Sequence, residues 1–134
     1  MSIVSNPALA LAASLFLVCA PASADSVDFS GKWSVSGHMI RGNQYTLVSP
    51  VCEFQQSGDQ LTGTCTGPNG TGSAVGLTNG ASVTWQWHVV ATNNIGLSGI
   101  SSFNGRLGAD NVVRGSWTFS GRPGVSGQFT AMRP

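Results

Sequence analysis

Side chains suited to acid–base or metal chemistry are few in this chain and lie far apart. The two histidines and five carboxylates are His38, His88, Asp25, Asp28, Glu53, Asp59 and Asp110. General acid–base catalysis needs a titratable group beside the reacting atoms, and a zinc site needs three or four converging ligands. The sequence indicates no such pair or cluster, and it contains no Gly-x-Ser-x-Gly elbow, phosphate-binding loop or Cys-x-x-Cys motif. It therefore predicts no catalytic residue, no metal site and no cofactor.

Aromatic side chains offer a different chemistry, because they hold ligands through apolar and stacking contacts. Five aromatic residues of the second half of the chain fall on one apolar face of the predicted strands: Trp85, Trp87, Phe103, Trp117 and Phe119. Such a set can line a pocket for one small apolar or aromatic molecule. It can also be a packed core, since aromatic residues dominate protein cores. Both interpretations stay open from the sequence.

The first 24 residues predict a signal peptide that is removed before folding. Residues 8–20 form a largely apolar run, which is too short to span a bilayer and has the length of a signal-peptide core. Ala22-Ser23-Ala24 follows and suits signal peptidase, so we expect cleavage before Asp25. The prediction is a secreted or periplasmic protein without stable membrane insertion, with one domain over residues 25–134.

Composition indicates which partners the exported chain is not built to bind and how its cysteines are used. The net charge is +1 and the six basic residues are dispersed, which gives no electrostatic footprint for nucleic acid or an anionic membrane. Two cysteines, Cys52 and Cys65, remain after cleavage. An even count in an exported protein predicts a disulfide.

Eight strands are expected, because runs rich in β-branched and aromatic residues alternate with Gly, Asn, Asp and Pro turn signals. The predicted strands are residues 29–40, 45–56, 61–66, 71–78, 82–91, 97–107, 112–120 and 125–132. All connections are short, which favours a meander of antiparallel strands. Ser49-Pro50 interrupts the second strand and predicts a bulge or bend, because proline cannot donate to the ladder.

The disulfide prediction can be checked by counting residue pairs outward from the predicted hairpin turn at Gly58-Asp59. If these two residues form a type II′ turn, which favours glycine at its first position, Cys52 falls directly opposite Cys65. Counting alternate pairs from the turn makes this a non-hydrogen-bonded pair, where side chains approach most closely. Turn chemistry, register and cysteine positions therefore agree on a Cys52–Cys65 disulfide.

Apolar residues alternate with polar ones along most of the predicted strands, as expected for strands with one buried face. Glycines share that face with large residues: Gly63, Gly105, Gly115 and Gly127. Small residues beside large ones suit the taper of a narrow barrel. The prediction is an all-β fold, an eight-stranded antiparallel up-and-down barrel, with room for its own side chains or one small ligand.

Several motifs, in their order and spacing, resemble those of the avidin family of barrels. Gly31-Lys32-Trp33 resembles the Gly-x-Trp of their first strand, and Leu61-Thr62-Gly63-Thr64-Cys65 resembles a Leu-Thr-Gly-Thr-Tyr third strand. Ser101-Ser102-Phe103-Asn104-Gly105-Arg106 resembles Thr-Thr-Trp-Ser-Gly-Gln. The resemblance covers most of residues 29–120. It implies a ligand-stacking role for Trp87, with Phe103 replacing a second stacking tryptophan and Trp117 at a further pocket position.

The polar groups that the avidin family uses for biotin are mostly missing. Val35 and Met39 stand where that family has Asn and Ser, Cys65 replaces the tyrosine, and nothing near Gln128 matches the last-strand Asp. Unpaired buried polar groups cost about 1–3 kcal/mol each, so the departures argue against tight biotin binding. The resemblance also implies a structural role for Arg133, which would pack across Trp33 and close one barrel end through a cation–π contact.

Three functional hypotheses follow from the sequence. The first is a non-enzymatic binder of a small apolar or aromatic molecule. The second is a protein-interaction module, such as a protease inhibitor acting through residues 25–28 or its loop edges, and the third is a barrel isomerase or cyclase. An exposed apolar rim for partner binding or homo-oligomerisation is expected around one loop, at Val90, Ile95, Leu97 and Ile100.

Overall fold

The computed structural model describes residues 27–41 and 44–134, with side chains described for residues 27–38 and 48–134. The predicted signal peptide and its cleavage before Asp25 lie outside the described residues, as do the Gly42-Asn43 turn and the side chain of Met39. No helix in the described part of the chain is long and apolar enough to cross a bilayer.

Nine β-strands make up the regular structure of the described residues. They are β1 (Gly31–Arg41), β2 (Gln44–Val48), β3 (Val51–Ser57), β4 (Gln60–Thr66), β5 (Gly70–Asn79), β6 (Ser82–Ala91), β7 (Gly99–Leu107), β8 (Val113–Phe119) and β9 (Val125–Met132). From β3 to β9 each strand pairs with the next, and β1 pairs with both β3 and β9. All pairings are antiparallel, and the pairing of β1 with β9 closes the sheet into a barrel.

β2 and β3 act together as one long strand, which makes the barrel eight-stranded, as predicted. Both pair with β1 in one continuous register: Gly37 faces Val48 and Ser34 faces Val51. The strand is interrupted at Ser49-Pro50 as predicted, but the break adds no residue to either strand and is therefore not a bulge. The Val35 N–H donates to the Pro50 carbonyl at 2.9 Å, because a proline lacks a donor but keeps its acceptor.

The β3–β4 hairpin has the predicted register, with Cys52 directly opposite Cys65. The disulfide joins them with a Cα–Cα distance of 4.0 Å, and neither cysteine is exposed to solvent. Gly58 has a φ of 63°, whereas Asp59 keeps a negative φ, which is the combination of a type II′ turn. The prediction from turn chemistry is confirmed.

The core fills the inside of the barrel with inward-facing side chains from every strand whose side chains are fully described. Trp33, Phe54, Trp85, Phe103 and Trp117 are among its buried members. Inward glycines let neighbouring strands approach closely. A β-carbon at Gly63 would collide with the Glu53 carbonyl oxygen, and one at Gly115 would collide with that of Asn104. Glycine is therefore required at these two positions, where the backbone of the neighbouring strand leaves no room for a side chain.

Candidate functional site

The barrel has two unlike ends. One end, called here the plug end, carries the segment of residues 27–30 and the C-terminal residues of β9. The other, called the loop end, carries the β4–β5, β6–β7 and β8–β9 connections. The antiparallel strand order fixes this arrangement, because each hairpin connection falls at the end opposite to the one before it.

Residues 27–30 close the plug end across the barrel opening. Phe29 is almost completely buried, and its N–H donates to the Gln56 Oε1 at 2.7 Å. The Gln56 Nε2 donates in turn to the carbonyls of Val27 at 3.1 Å and Gly58 at 2.9 Å. One amide side chain therefore connects the N-terminal segment to the β3–β4 turn.

The contact expected between Arg133 and Trp33 is present at the plug end. The guanidinium carbon lies 4.6 Å from the centroid of the Trp33 ring. Arg133 also donates to the carbonyls of Asp28 and Ser30, and the Trp33 indole N–H donates to the Phe29 carbonyl at 2.9 Å. Both residues therefore hold the plug, which agrees with the structural role predicted for them. The main-chain carbonyls of Val27 and Asp28 accept hydrogen bonds from Gln56 and Arg133, which fixes this part of the segment against the barrel.

The middle of the barrel is filled by four aromatic rings that come from four different strands. Trp85 stacks on Phe103 with ring centroids 4.7 Å apart. Phe54 and Phe129 each meet Trp85 edge-on at 5.5 Å, and Phe129 also meets Phe103 at 5.2 Å. Rings that converge at these distances leave no lumen at this level. In the structure Trp85 and Phe103 are therefore part of a packed core, which is one of the two interpretations that the sequence left open.

The aromatic rings nearer the loop end lie against the barrel wall, over glycines of nearby strands or loops. A β-carbon at Gly37 would lie 2.8 Å from the Trp117 Nε1, and one at Gly67 would lie 3.3 Å from the Trp87 ring. Phe119 lies over Gly99 in the same way, at 3.0 Å. The rings occupy space that glycine leaves free at the wall. Trp87, Trp117 and Phe119 lie toward the loop end, and Trp117 also faces Phe103 of the filled middle in the β7–β8 register.

The polar groups that face the interior near the loop end are a serine hydroxyl and several indole N–H groups. Ser101 is 4% exposed and is the buried polar residue of the described core; it faces Trp87 directly in the β6–β7 register. The Trp117 indole N–H donates to the Gln128 carbonyl at 3.1 Å. The indole N–H groups of Trp85 and Trp87 are buried without a hydrogen-bond partner in the structure. A buried donor left unpaired costs about 1–3 kcal/mol, so each of them is an unusual feature.

Titratable side chains lie away from the inner face of the described strands. His88 and Glu53 are exposed on the outer wall, as the strand alternation predicts. Asp110 and Arg114 form an exposed ion pair at the plug end with distances of 2.8 and 3.1 Å. The hydrogen bonds from Arg114 lower the pKa of Asp110 to about 2. Among the described residues no group of three histidine, cysteine or carboxylate side chains is placed to hold a metal ion.

The five predicted ligand-binding residues thus divide into two sets. Trp85 and Phe103 belong to the packed middle, whereas Trp87, Trp117 and Phe119 lie toward the loop end, with Trp117 directly beside Phe103. Ser101 was not among the predicted site residues. The signal in the sequence is its spacing: Ser101 lies two residues before Phe103 on the same strand, so both side chains face the interior.

Comparison of the sequence with models of known protein families finds no match, and comparison with functionally described proteins finds none either. The resemblance to the avidin family therefore rests on the motifs given above.

Proposed function

We propose that this chain is an exported, non-enzymatic barrel that holds one small apolar or aromatic molecule at its loop end. The proposed contacts are Trp87, Ser101, Trp117 and Phe119. The observation that carries the proposal is the buried indole N–H of Trp87, which has no acceptor in the structure. A ligand with a hydrogen-bond acceptor would satisfy this donor and remove the penalty of about 1–3 kcal/mol.

The shape of the interior supports the loop end over the plug end. Residues 27–30 and Gln56 block the plug end, and the four rings around Trp85 block the middle. The wall near Trp87 and Trp117 includes Gly37, Gly67 and Gly72, which add no side-chain bulk. A molecule that enters from the loop end would meet aromatic rings at the sides and the aromatic cluster as a floor.

The resemblance to avidin-type barrels supports an aromatic site and argues against biotin. Trp87 and Trp117 correspond to ligand-contacting positions of that family. Val35, at a position of the ureido-binding set, is an apolar core residue with 3% exposure, and Cys65 is bonded to Cys52. A ureido ring would lose hydrogen bonds at both positions, so we propose a ligand that is mostly apolar with one acceptor group.

Native mass spectrometry of protein purified gently from its exporting host tests the proposal. We expect a discrete extra mass that disappears on denaturation. W87F keeps an aromatic ring and removes the donor, so it should retain the molecule about three- to tenfold less well, the value of one hydrogen bond. V75A/L77A on the outer wall is the matched control and should retain it fully. Two added probes complete the test: 2-acetylnaphthalene, which carries a carbonyl acceptor, and 2-isopropylnaphthalene, which has a similar shape without one. A wild-type chain that is purified without a ligand and takes up neither probe would refute a ligand-binding barrel.

A further inference from the structure

Three asparagines of this chain are followed directly by a glycine, in the pairs Asn69-Gly70, Asn79-Gly80 and Asn104-Gly105. In such a pair the main-chain nitrogen of the glycine can attack the side-chain amide carbon of the asparagine, because glycine has no side chain to obstruct the approach. The reaction needs an asparagine side chain that is free to turn and a glycine N–H that is not held by an acceptor. The structure distinguishes the three pairs, because it places them in different surroundings.

The pair Asn104-Gly105 lies inside β7 and is protected by the sheet. β7 pairs with β6 on one side and with β8 on the other, and Gly105 faces Val83 and Gly115 in these two registers. A residue inside a strand that is paired on both sides has its N–H committed to the ladder. The sheet therefore has to open locally, at a cost in free energy, before the Gly105 nitrogen can react.

The pair Asn69-Gly70 lies at the β4–β5 turn, where a neighbouring loop holds the asparagine side chain. The Asn69 Oδ1 accepts a hydrogen bond from the Asn93 Nδ2 at 3.0 Å. The main chain is held as well. The Asn69 carbonyl accepts the Thr92 N–H at 3.0 Å, and the Gly70 carbonyl accepts a further N–H at 2.8 Å. The side-chain amide therefore has to leave Asn93 before it can turn toward the Gly70 nitrogen.

The pair Asn79-Gly80, at the plug end, has neither restraint. Asn79 is the exposed last residue of β5 and pairs with Ser82, so Gly80 and Ala81 form a two-residue turn outside the ladder. In the described part of the chain, no acceptor binds the Gly80 N–H and no hydrogen bond holds the Asn79 side chain. A β-carbon built at Gly80 would meet no atom within 4 Å, so the turn has room to rotate.

We propose that Asn79 is a site of spontaneous deamidation, with water as the co-reactant. The Gly80 nitrogen attacks the Asn79 Cγ and forms a cyclic imide, while the Cγ–Nδ2 bond breaks and ammonia leaves with the proton of the Gly80 N–H. Water then opens the imide at either of its carbonyls, which gives aspartate or isoaspartate at position 79.

The product adds a negative charge beside an exposed cation. Ser82 faces Asn79 on one side and Arg106 on the other, and the Arg106 Nη1 donates to the Ser82 Oγ at 3.1 Å. The new carboxylate therefore lies in one row of the outer wall with the Arg106 guanidinium. The modified protein is a more acidic species that keeps the residues of the loop end unchanged.

Peptide mapping by mass spectrometry of the folded protein, incubated at mildly alkaline pH, tests this proposal. We expect Asn79 to react first and Asn69 to react more slowly. Asn104 should react at least about tenfold more slowly than Asn79, because local opening that costs about 1.4 kcal/mol already lowers the reactive fraction tenfold. The same chain unfolded in urea is the control. Its three pairs no longer differ in surroundings and should react at similar rates.

Two variants separate Asn79 from the other sites. N79Q lengthens the side chain by a methylene, which disfavours closure of the imide, and should abolish the early acidic species on isoelectric focusing. N104Q makes the same change inside β7 and should leave that species unchanged. Equal rates at Asn79 and Asn104 in the folded barrel would overturn the proposal, as would an Asn79 that reacts only in urea. None of these results depends on ligand binding, so failure here leaves the proposed ligand site standing.

Discussion

Removing the Cys52–Cys65 disulfide should lower the free energy of unfolding by about 3 kcal/mol. The bond closes a loop with a sequence separation of 13 residues. Closing a loop of about this length restricts the unfolded chain by about 3 kcal/mol in the chain-entropy model. Both cysteines are fully buried, so reduction leaves the outer surface of the barrel unchanged, and the effect falls mainly on the unfolded state.

Urea unfolding followed by tryptophan fluorescence measures this difference. Buried sulfurs are out of reach of a reductant in the folded barrel, so the reduced sample should be unfolded with reductant first and then refolded. At a typical slope of about 1–2 kcal/mol per molar urea, the midpoint should fall by roughly 1.5–3 M. C52A/C65A serves as a second, reductant-free version of the same change.

A loss below about 1 kcal/mol in both samples would refute the loop-closure reasoning. It would indicate that the β3–β4 hairpin stays closed in the unfolded chain, so that the disulfide restricts little there. Oxidised V75A/L77A, altered on the outer wall, provides a control for nonspecific effects of substitution, and its midpoint should stay near that of the wild type.

Three further predictions follow from the geometry. G115A should destabilise the barrel by about 1–3 kcal/mol or more, because the new β-carbon would collide with the Asn104 carbonyl. In G67A the new β-carbon meets only the Trp87 ring, so this variant should cost less than about 1 kcal/mol. Equal losses of stability in thermal unfolding would contradict this prediction. R133M should lower the free energy of unfolding in urea by about 1–2 kcal/mol, because it removes the cation–π contact and the hydrogen bonds to Asp28 and Ser30. R133K should lower it less. No loss in R133M would show that the plug holds without Arg133. The pKa of Asp110 lies at about 2, below its ordinary 3.8, so the stabilisation from Arg114 is complete above pH 3.8 and is lost as the pH falls through about 2. In an NMR titration R114Q should return the pKa of Asp110 toward 3.8. An unchanged pKa would exclude Arg114 as the cause of the shift.

The barrel was predictable where local chemistry and register act together. A glycine suited to a type II′ turn, alternating apolar residues and two cysteines at matching positions determine the β3–β4 hairpin almost completely. The last predicted strand matches β9, whereas the sixth predicted strand, which corresponds to β7, was expected to begin at Leu97 and begins at Gly99. Leu97 and Ser98 stay in the loop because the Ser98 hydroxyl accepts the Ala91 N–H, a bond outside any strand ladder.

Depth inside the barrel was not predictable in the same way. The two-residue period tells which side of a strand faces inward, but it does not tell how far along the barrel a side chain lies or which rings meet across it. Trp85 and Trp87 therefore look equivalent in the sequence, although one stacks on Phe103 and the other lies beside Gly67 and Gly72. The exposed apolar rim expected around the β6–β7 loop is confirmed only in part: Val90, Ile95 and Leu97 are exposed, whereas Ile100 is half-buried.

The double pairing of β1 has a consequence for the order in which the chain folds. Gly37 of β1 faces Phe129 of β9, so two segments more than ninety residues apart must meet before the ring is complete. Hairpins between neighbouring strands form quickly, while contacts between distant segments form slowly. During this interval β1 and β9 are both unpaired edges, which are the places where sheets join other chains. β1 therefore has to stay free of other chains until β9 arrives, so pairing between chains at these two edges is the misfolding route that closure of the ring removes.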